Sequence, residues 1–365
     1  MSRTRPVILV AVKGLGIGGA ETLIASSARL WDRDRYEYHV AYALPWKDQL
    51  AARIAAEGVP VHCFGSPRGM TPASWWRLRD LARSTGTSVV HAHLPAVGAV
   101  ARLVAPAPVV YTEHNIAGSY RRPVQIANRA TYRRNRAVTA VSEAVAASVA
   151  AYPGPAARVV PNGVDVSVEP AAAAAARAEL GIAPEARLVA HVGNIRPHKG
   201  HENLVEAVRV LAATRTDVHV VSAGGEKNDG DLARVRRLAV EAGVADRLTF
   251  LGRRPDALAF VGAAEMLVNP SDFEGLPVAV LEAMALGKPV VATAVGGVPS
   301  VVDAATGILV PPRDPGALAG GIVRLLDDPA LAAALGAAGR EVVERHHGLE
   351  AMVRAYEAIY DEVLR

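Results

Sequence analysis

The sequence predicts an α/β protein built as two Rossmann-like domains with parallel sheets that face each other across a cleft. Three observations carry this. Strand-length apolar runs alternate with helical stretches throughout the chain, which is the pattern of parallel sheets covered by helices on both faces. Thirteen such runs can be marked, whereas an open sheet rarely exceeds about ten strands. A turn signal, Pro161-Asn162-Gly163, separates the first seven from the last six. At 365 residues, 51% of them hydrophobic, the chain can build two cores. The expected division is 1–165 and 166–348, with a final helix at about 349–365.

In order, the first seven strands are expected at Val7–Val12, Tyr38–Ala43, Val61–Phe64, Val89–Ala92, Val109–Thr112, Ala137–Val141 and Val159–Val160. An alanine-rich stretch, Ala171–Ala176, reads as a spacer. The remaining six are expected at Leu188–Val192, Val218–Ser222, Leu248–Leu251, Met266–Asn269, Pro289–Thr293 and Ile308–Val310. Ligands of such sheets bind beyond the carboxyl ends of the strands. Four chemistry-bearing segments sit there: Gly14–Glu21, His114–Asn115, Asn194–Gly200 and Asp272–Gly275.

The last of these leads into an unusual helix. From Leu276 to Gly287 the only charged residue is Glu282. A carboxylate on an otherwise apolar, buried helix is costly unless something hydrogen-bonds it, so Glu282 is expected to have a dedicated partner. Glu274 lies just before the same helix, and Pro277 suits its first position. The backbone N–H groups around Leu276 to Ala279 would lack helical partners, and the dipole there favours an anion. A carboxylate at the mouth, anion-binding amides beside it and a second carboxylate about 7.5 Å further along the axis suit a sugar–diphosphate–ribose ligand. A surface-loop glutamate plus a helix glutamate held by a structural arginine would read the same way. Arg196 and Lys199, in Arg196-Pro197-His198-Lys199 after the eighth strand, form either a diphosphate clamp or a solvated basic loop.

Gly14-Leu15-Gly16-Ile17-Gly18-Gly19 satisfies the glycine pattern of dinucleotide-binding domains. The acidic residue that would grip a ribose after the second strand is missing, since that strand runs into Leu44-Pro45. The loop therefore reads as phosphate- or sugar-approaching backbone, or as a tight turn. Asp32-Arg33-Asp34 precedes a strand instead of following one and reads as a surface turn. His91 and His93 flank one residue, but no metal-ligand spacing accompanies them. Cys63 is the only cysteine, so an intramolecular disulfide or a cysteine-based zinc site is excluded and a reducing cytoplasm fits. The chain has no run of eighteen apolar residues and no signal-peptide start.

Charge is uneven. Residues 1–165 hold 20 Lys+Arg against 10 Asp+Glu, a balance of +10; residues 166–365 hold 20 against 26, a balance of −6. Arg121, Arg122, Arg129, Arg133, Arg134 and Arg136 concentrate the positive charge with no acid between them. This segment suits an anionic acceptor or the inner face of a membrane, or is an ordinary solvated helix face. Few aromatic residues accompany it, which argues against nucleic acid.

Together these segments resemble the family 4 retaining glycosyltransferases, the group 1 enzymes of GT-B fold. The matching pieces run in family order: Gly18-Gly19-Ala20-Glu21, Val90-His91-Ala92-His93, Tyr111-Thr112-Glu113-His114-Asn115, Val141-Ser142-Glu143 and Val160-Pro161-Asn162-Gly163-Val164-Asp165. They continue with Val192-Gly193-Asn194-Ile195-Arg196-Pro197-His198-Lys199-Gly200, Phe250-Leu251-Gly252-Arg253, the Glu274–Glu282 segment, Gly296-Gly297-Val298-Pro299 and Gly307-Ile308-Leu309-Val310-Pro311-Pro312. Ser300 departs from the glutamate that many relatives carry there.

The resemblance implies a metal-independent hexosyl transfer from a nucleotide-sugar, with UDP expected from family frequency, to a lipid, polysaccharide or small-molecule hydroxyl. It implies an acceptor-side first domain, a nucleotide-sugar-binding second domain, and a last helix that returns to the first. Glu282 would accept the ribose hydroxyls and Glu274 would stand at the transferred sugar. Arg196 and Lys199 would clamp the diphosphate, helped by the backbone N–H groups of Gly19, Leu276 and Val278, with Gly18, Gly275 and Pro277 also lining the donor site. Arg253 would border the nucleobase, and His114 would contact the sugar from the first domain. No cofactor is expected. A nucleotide-sugar epimerase of similar fold and a catalytically dead binding module are the alternatives.

Overall fold

In the computed structural model, residues 5–226 and 228–365 are described. Among them all thirteen expected strands form, each end within two residues of its expected place. They are β1 (Val7–Val12), β2 (Glu37–Tyr42), β3 (Val61–Cys63), β4 (Thr87–His93), β5 (Val109–Glu113), β6 (Asn135–Ala140) and β7 (Ala157–Val159). After these come β8 (Arg187–Val192), β9 (Val218–Ala223), β10 (Leu248–Gly252), β11 (Met266–Asn269), β12 (Val290–Thr293) and β13 (Ile308–Val310). The helices of the first half are α1 (Gly19–Ser27), α2 (Ala51–Ala56), α3 (Pro72–Ser84), α4 (Pro95–Val104), α5 (Arg122–Thr131) and α6 (Glu143–Val149). Those of the second half are α7 (Pro170–Glu179), α8 (His201–Ala212), α9 (Asp231–Glu241), α10 (Ala257–Ala263), α11 (Val278–Ala285), α12 (Pro315–Asp327), α13 (Pro329–His346) and α14 (Leu349–Leu364).

The chain divides into two units, one ending at Gly163 but also including Leu349–Arg365, the other Val164–Gly348. In the first, seven parallel strands run in the order β3-β2-β1-β4-β5-β6-β7; in the second, six run β10-β9-β8-β11-β12-β13. Both sheets are doubly wound. Strand order reverses between β1 and β4 in one and between β8 and β11 in the other, and those switch points open a crevice at the strands' carboxyl ends. The strands at the centre are buried on both faces, β1 and β9 along their whole length, which is why they read as predominantly apolar runs, with only His219 and Ser222 interrupting β9.

The stretch Ala171–Ala176 is not a spacer. It lies within α7, which packs on α10 and buries Ala176; a run of alanine has high helix propensity and needs only a surface to rest on. Pro277 also differs from expectation. Its backbone is extended (φ −71°, ψ 120°) and it caps α11 from outside, so the first helical residue is Val278. The final helix belongs to the first unit, packing on α1, β4 and β6. Its Glu357 accepts from the Tyr38 hydroxyl and the Asp32 amide, each at 2.9 Å.

Candidate functional site

At the switch point of the second unit, the loops after β8 and β11 are fastened to each other. Gly200 is left-handed (φ +67°), and a Cβ there would lie 2.0 Å from the Pro270 carbonyl oxygen. The Asp272 amide donates to the His198 carbonyl at 2.8 Å. The His198 ring stacks on Phe273 with centroids 4.3 Å apart. This fastening brings Lys199 to Glu274, whose Oε1 accepts from Lys199 Nζ at 2.6 Å and from Ser271 Oγ at 2.7 Å. Ser271 is held in turn, its carbonyl accepting from Thr293 Oγ1 at 2.5 Å.

Behind Glu274 lies the turn Gly296-Gly297. Gly296 has φ +53°, a Cβ on it would fall 1.7 Å from the Glu274 carbonyl oxygen, and the Gly297 amide donates to Gly275 at 2.8 Å. Gly296→Ala is therefore expected to displace Glu274 and to cost at least ~1–3 kcal/mol of stability; a thermal melt at wild-type Tm would contradict the close approach.

Arg196 belongs to the same cluster. Its Nε is buried with no acceptor among the described residues, a donor set out of water without compensation. The charges of Lys199, Glu274, Arg196 and Asp272 all act on His198, whose pKa falls to about 4 through burial first and Lys199 second. Arg253 follows β10 and is exposed, and its guanidinium lies against Gly225.

Glu282 is set apart. It is half-buried on α11 and its carboxylate makes no hydrogen bond or ion pair among the described residues, so the dedicated protein partner expected of it is missing among them. Burial alone lifts its pKa to about 7. Between Glu274 and Glu282, the amides of Val278 and Ala279 precede the first bond of the helix region, from Val280 to Pro277, and the helix dipole favours an anion beside them. The second unit thus gathers Arg196, Lys199, Glu274, Gly275, Leu276, Pro277, Val278 and Glu282 along two adjoining loops and one helix start.

His114, Gly18 and Gly19 belong to the first unit. Gly18 caps α1 and Gly19 opens it. Gly14 and Gly16 do a different job, packing against the loop after β2: a Cβ on them would meet Lys47 at 2.9 Å and Gln49 at 3.2 Å, and Leu15 donates to the Lys47 carbonyl at 2.6 Å. His114 follows β5, and its Nε2 lies 2.9 Å from His93 Nδ1. Burial pushes the His114 pKa down to about 4, so the imidazole is neutral at physiological pH. It borders a cavity of about 30 Å³, enough for one water.

Two buried networks were not read from the sequence. His91 bridges Tyr360 (2.6 Å) and Thr112 (2.7 Å), linking α14 to the sheet beneath His93. Glu113, fully buried, accepts from Tyr111 (2.8 Å), Tyr120 (2.7 Å) and Asn128 (3.2 Å), while Asn128 Oδ1 accepts from buried Arg102 at 3.0 Å. This second network fixes α5 against β5 and the segment that carries His114. A lone arginine in the apolar run of α4 was its signal. Among the described residues, no group of three or more His, Cys, Asp or Glu side chains could hold a metal ion.

Paired doubly wound units with a cationic loop and two carboxylates at a switch point define the GT-B class. Solved structures show the same fold over nearly the whole chain. The Anabaena protein HepE in complex with UDP-glucose superposes with a TM-score of 0.87 at 22% identity, covering 98% of this chain and 99% of that one. Sucrose-phosphate synthase from Thermosynechococcus elongatus gives 0.82 at 24% identity, covering 99% of each. Two family models divide the chain: Glycosyltransferase Family 4 matches residues 17–168, and Glycosyl transferases group 1 matches 173–342. The chain belongs to the family 4, group 1 glycosyltransferases.

Among curated relatives, the GDP-mannose-dependent monoacylated alpha-(1-6)-phosphatidylinositol monomannoside mannosyltransferase of Corynebacterium glutamicum is 35% identical over 205 residues, 53% of this chain and 52% of that protein. D-inositol 3-phosphate glycosyltransferase of Mycolicibacterium gilvum is 42% identical over 167 residues, 44% and 37% of the two. The matched stretches span about half the length of these relatives or less.

Proposed function

We propose that the chain transfers a hexosyl group from a nucleoside-diphosphate sugar to a hydroxyl acceptor, with retention and without a divalent metal. The observation that carries this reading is the carboxylate of Glu282, without a partner among the described residues, on the helix that follows the Lys199–Glu274 pair. A half-buried acceptor lifted to about pKa 7 by burial calls for donors from a ligand, and the paired hydroxyls of a ribose supply them. Arg196, whose Nε has no acceptor among the described residues, and Lys199 suit the diphosphate.

As the anomeric C–O bond lengthens, its electrons pass to the diphosphate. Arg196, Lys199 and the amides at the start of α11 stabilise that charge more in the transition state than in the bound donor. The sugar becomes oxocarbenium-like, and Glu274 stabilises it or orients the ring. The acceptor hydroxyl bonds to the anomeric carbon from the side of the departing phosphate and gives its proton to the phosphate oxygen. His114, neutral, serves as a hydrogen-bonding contact to the sugar. The cations take the electrostatic part that a metal would otherwise play, so activity should survive exhaustive chelation.

The relatives' names point to two donor bases, GDP in the corynebacterial enzyme and UDP in the HepE complex. A thermal-shift screen with UDP-, GDP-, ADP- and dTDP-sugars decides between them; no shift with any would sink the reading. Acceptors named for the relatives carry inositol and phosphate, and the basic first unit suits a phosphate-bearing polyol. NMR of the product anomer tests retention.

Glu282 also gives a pH test. Its folded pKa, about 7, lies above the 4.5 of an unperturbed glutamate. Between these values the unfolded chain ionises first, so this group's contribution to stability falls as pH rises through that window. Glu282→Gln should therefore stabilise the unliganded protein at about pH 8 and leave it unchanged at about pH 4. Donor affinity in the wild type should rise as the carboxylate ionises near pH 7, and this component should vanish in the variant. Parallel melting and titration curves for the two proteins would refute the assignment.

A further inference from the structure

The arginine segment takes on new meaning once the helices are placed. Helices α3, α4 and α5 pack side by side on one face of the first unit's sheet. Their outer surface holds three of the six exposed large hydrophobic residues among the described residues: Trp76 (55% exposed), Leu103 (48%) and Ile126 (68%). A fourth, Trp46, lies against Gly69 just ahead of α3. All six arginines from Arg121 to Arg136 are exposed, and none makes an ion pair among the described residues. Surface arginines of the second unit behave differently: Arg209, Arg340 and Arg345 each pair with a glutamate on the same helix. Between Asp80 and Glu143 the only acidic residue is Glu113, which is buried. Asp80, exposed on α3 one turn from Trp76, is the only acidic residue on the three helices; beyond it the surface of α4, α5 and the turn after α5 carries arginines without counter-charge, with Leu103 and Ile126 standing among them.

We propose that this α3–α4–α5 face docks the protein on an anionic lipid bilayer. Arginine offsets the charge of anionic headgroups, and tryptophan favours the boundary between headgroups and acyl chains. Isolated leucine and isoleucine at the crest insert shallowly, as apolar residues of interfacial helices do. A soluble phosphate would use the charge but leave the exposed Trp76, Leu103 and Ile126 without a purpose. No helix among the described residues is long and apolar enough to cross a membrane, so the contact is peripheral. This inference does not depend on the proposed reaction, because none of these side chains belongs to the donor site.

The test is co-sedimentation of the full chain with vesicles of phosphatidylcholine alone and with vesicles that also contain phosphatidylglycerol. Binding is expected only to the second kind and should weaken with added salt. The triple variant Arg122→Gln/Arg129→Gln/Arg133→Gln should lose about 100-fold in partitioning, about fivefold per charge. Trp76→Ser/Ile126→Ser should also release the protein from vesicles. Arg340→Gln/Arg345→Gln should bind like the wild type. All variants should keep the wild-type Tm and nucleotide-sugar shift. Equal binding to both vesicle types, no binding to either, or indifference to the arginine variant would overturn the proposal. So would binding to soluble heparin that Trp76→Ser/Ile126→Ser leaves intact while vesicles are ignored, since that pattern marks a polyanion site.

Discussion

Glu274→Ala is expected to lower sugar transfer by about 10²–10³-fold, the usual effect of removing one preorganised electrostatic partner from a transition state. Nucleoside diphosphate affinity should hold or tighten slightly. In the unliganded protein Glu274 takes a hydrogen bond from Lys199 at 2.6 Å, so the alanine frees that ammonium for phosphate. Isothermal titration with the nucleoside diphosphate and single-turnover assays with the donor separate the two effects. Unchanged turnover would remove Glu274 from the reaction, and a large loss of affinity would make it a scaffold for Lys199. Ser271→Ala, which deletes the second hydrogen bond to the same oxygen, should move turnover in the same direction by a smaller factor.

Lys199→Ala is expected to weaken nucleoside diphosphate binding by about 10–100-fold, the value of one charge-assisted hydrogen bond to phosphate. It should also lower the stability of the unliganded protein by roughly 1–3 kcal/mol, because Glu274 is only 5% exposed and loses its cation. Lys199→Arg should restore much of the stability. The double variant Lys199→Ala/Glu274→Ala should destabilise less than the sum of its parts, since neither charge is then left alone. Additive melting shifts would mean the pair is not coupled, and undiminished phosphate affinity would count against the clamp.

Much of the fold was legible because parallel strands buried on both faces cannot hide their composition. β1 is apolar from end to end and β9 nearly so, interrupted only by His219 and Ser222, and the thirteen strand positions followed from such runs. The Ala171–Ala176 segment misled because helix propensity without an amphipathic pattern looks like a linker. Within the candidate site, the sequence exposed what one helix does to its own residues. Glu282 stood out because a carboxylate on an apolar helix is conspicuous, but whether a protein group met it depended on side chains the sequence could not place. The Lys199–Glu274 pair spans 75 positions and arises from the fastening of two loops through Gly200 and Pro270. Arg102 was as conspicuous on α4 as Glu282 on α11, and the same reasoning applied there would have pointed to the buried network around Glu113 and Asn128.

The first unit is assembled from two distant stretches of chain, and that has a consequence for how the protein is made. Residues up to Gly163 emerge from the ribosome about 200 residues before α14, a delay of roughly 10–40 s at ordinary translation speed. During that interval the sheet lacks the helix whose Tyr360 satisfies His91 and whose Glu357 ties down Tyr38. The second unit, continuous in sequence, can finish first while the earlier-born half waits with an apolar flank open. Nascent chains arrested before α14 should therefore be the species that molecular chaperones hold longest.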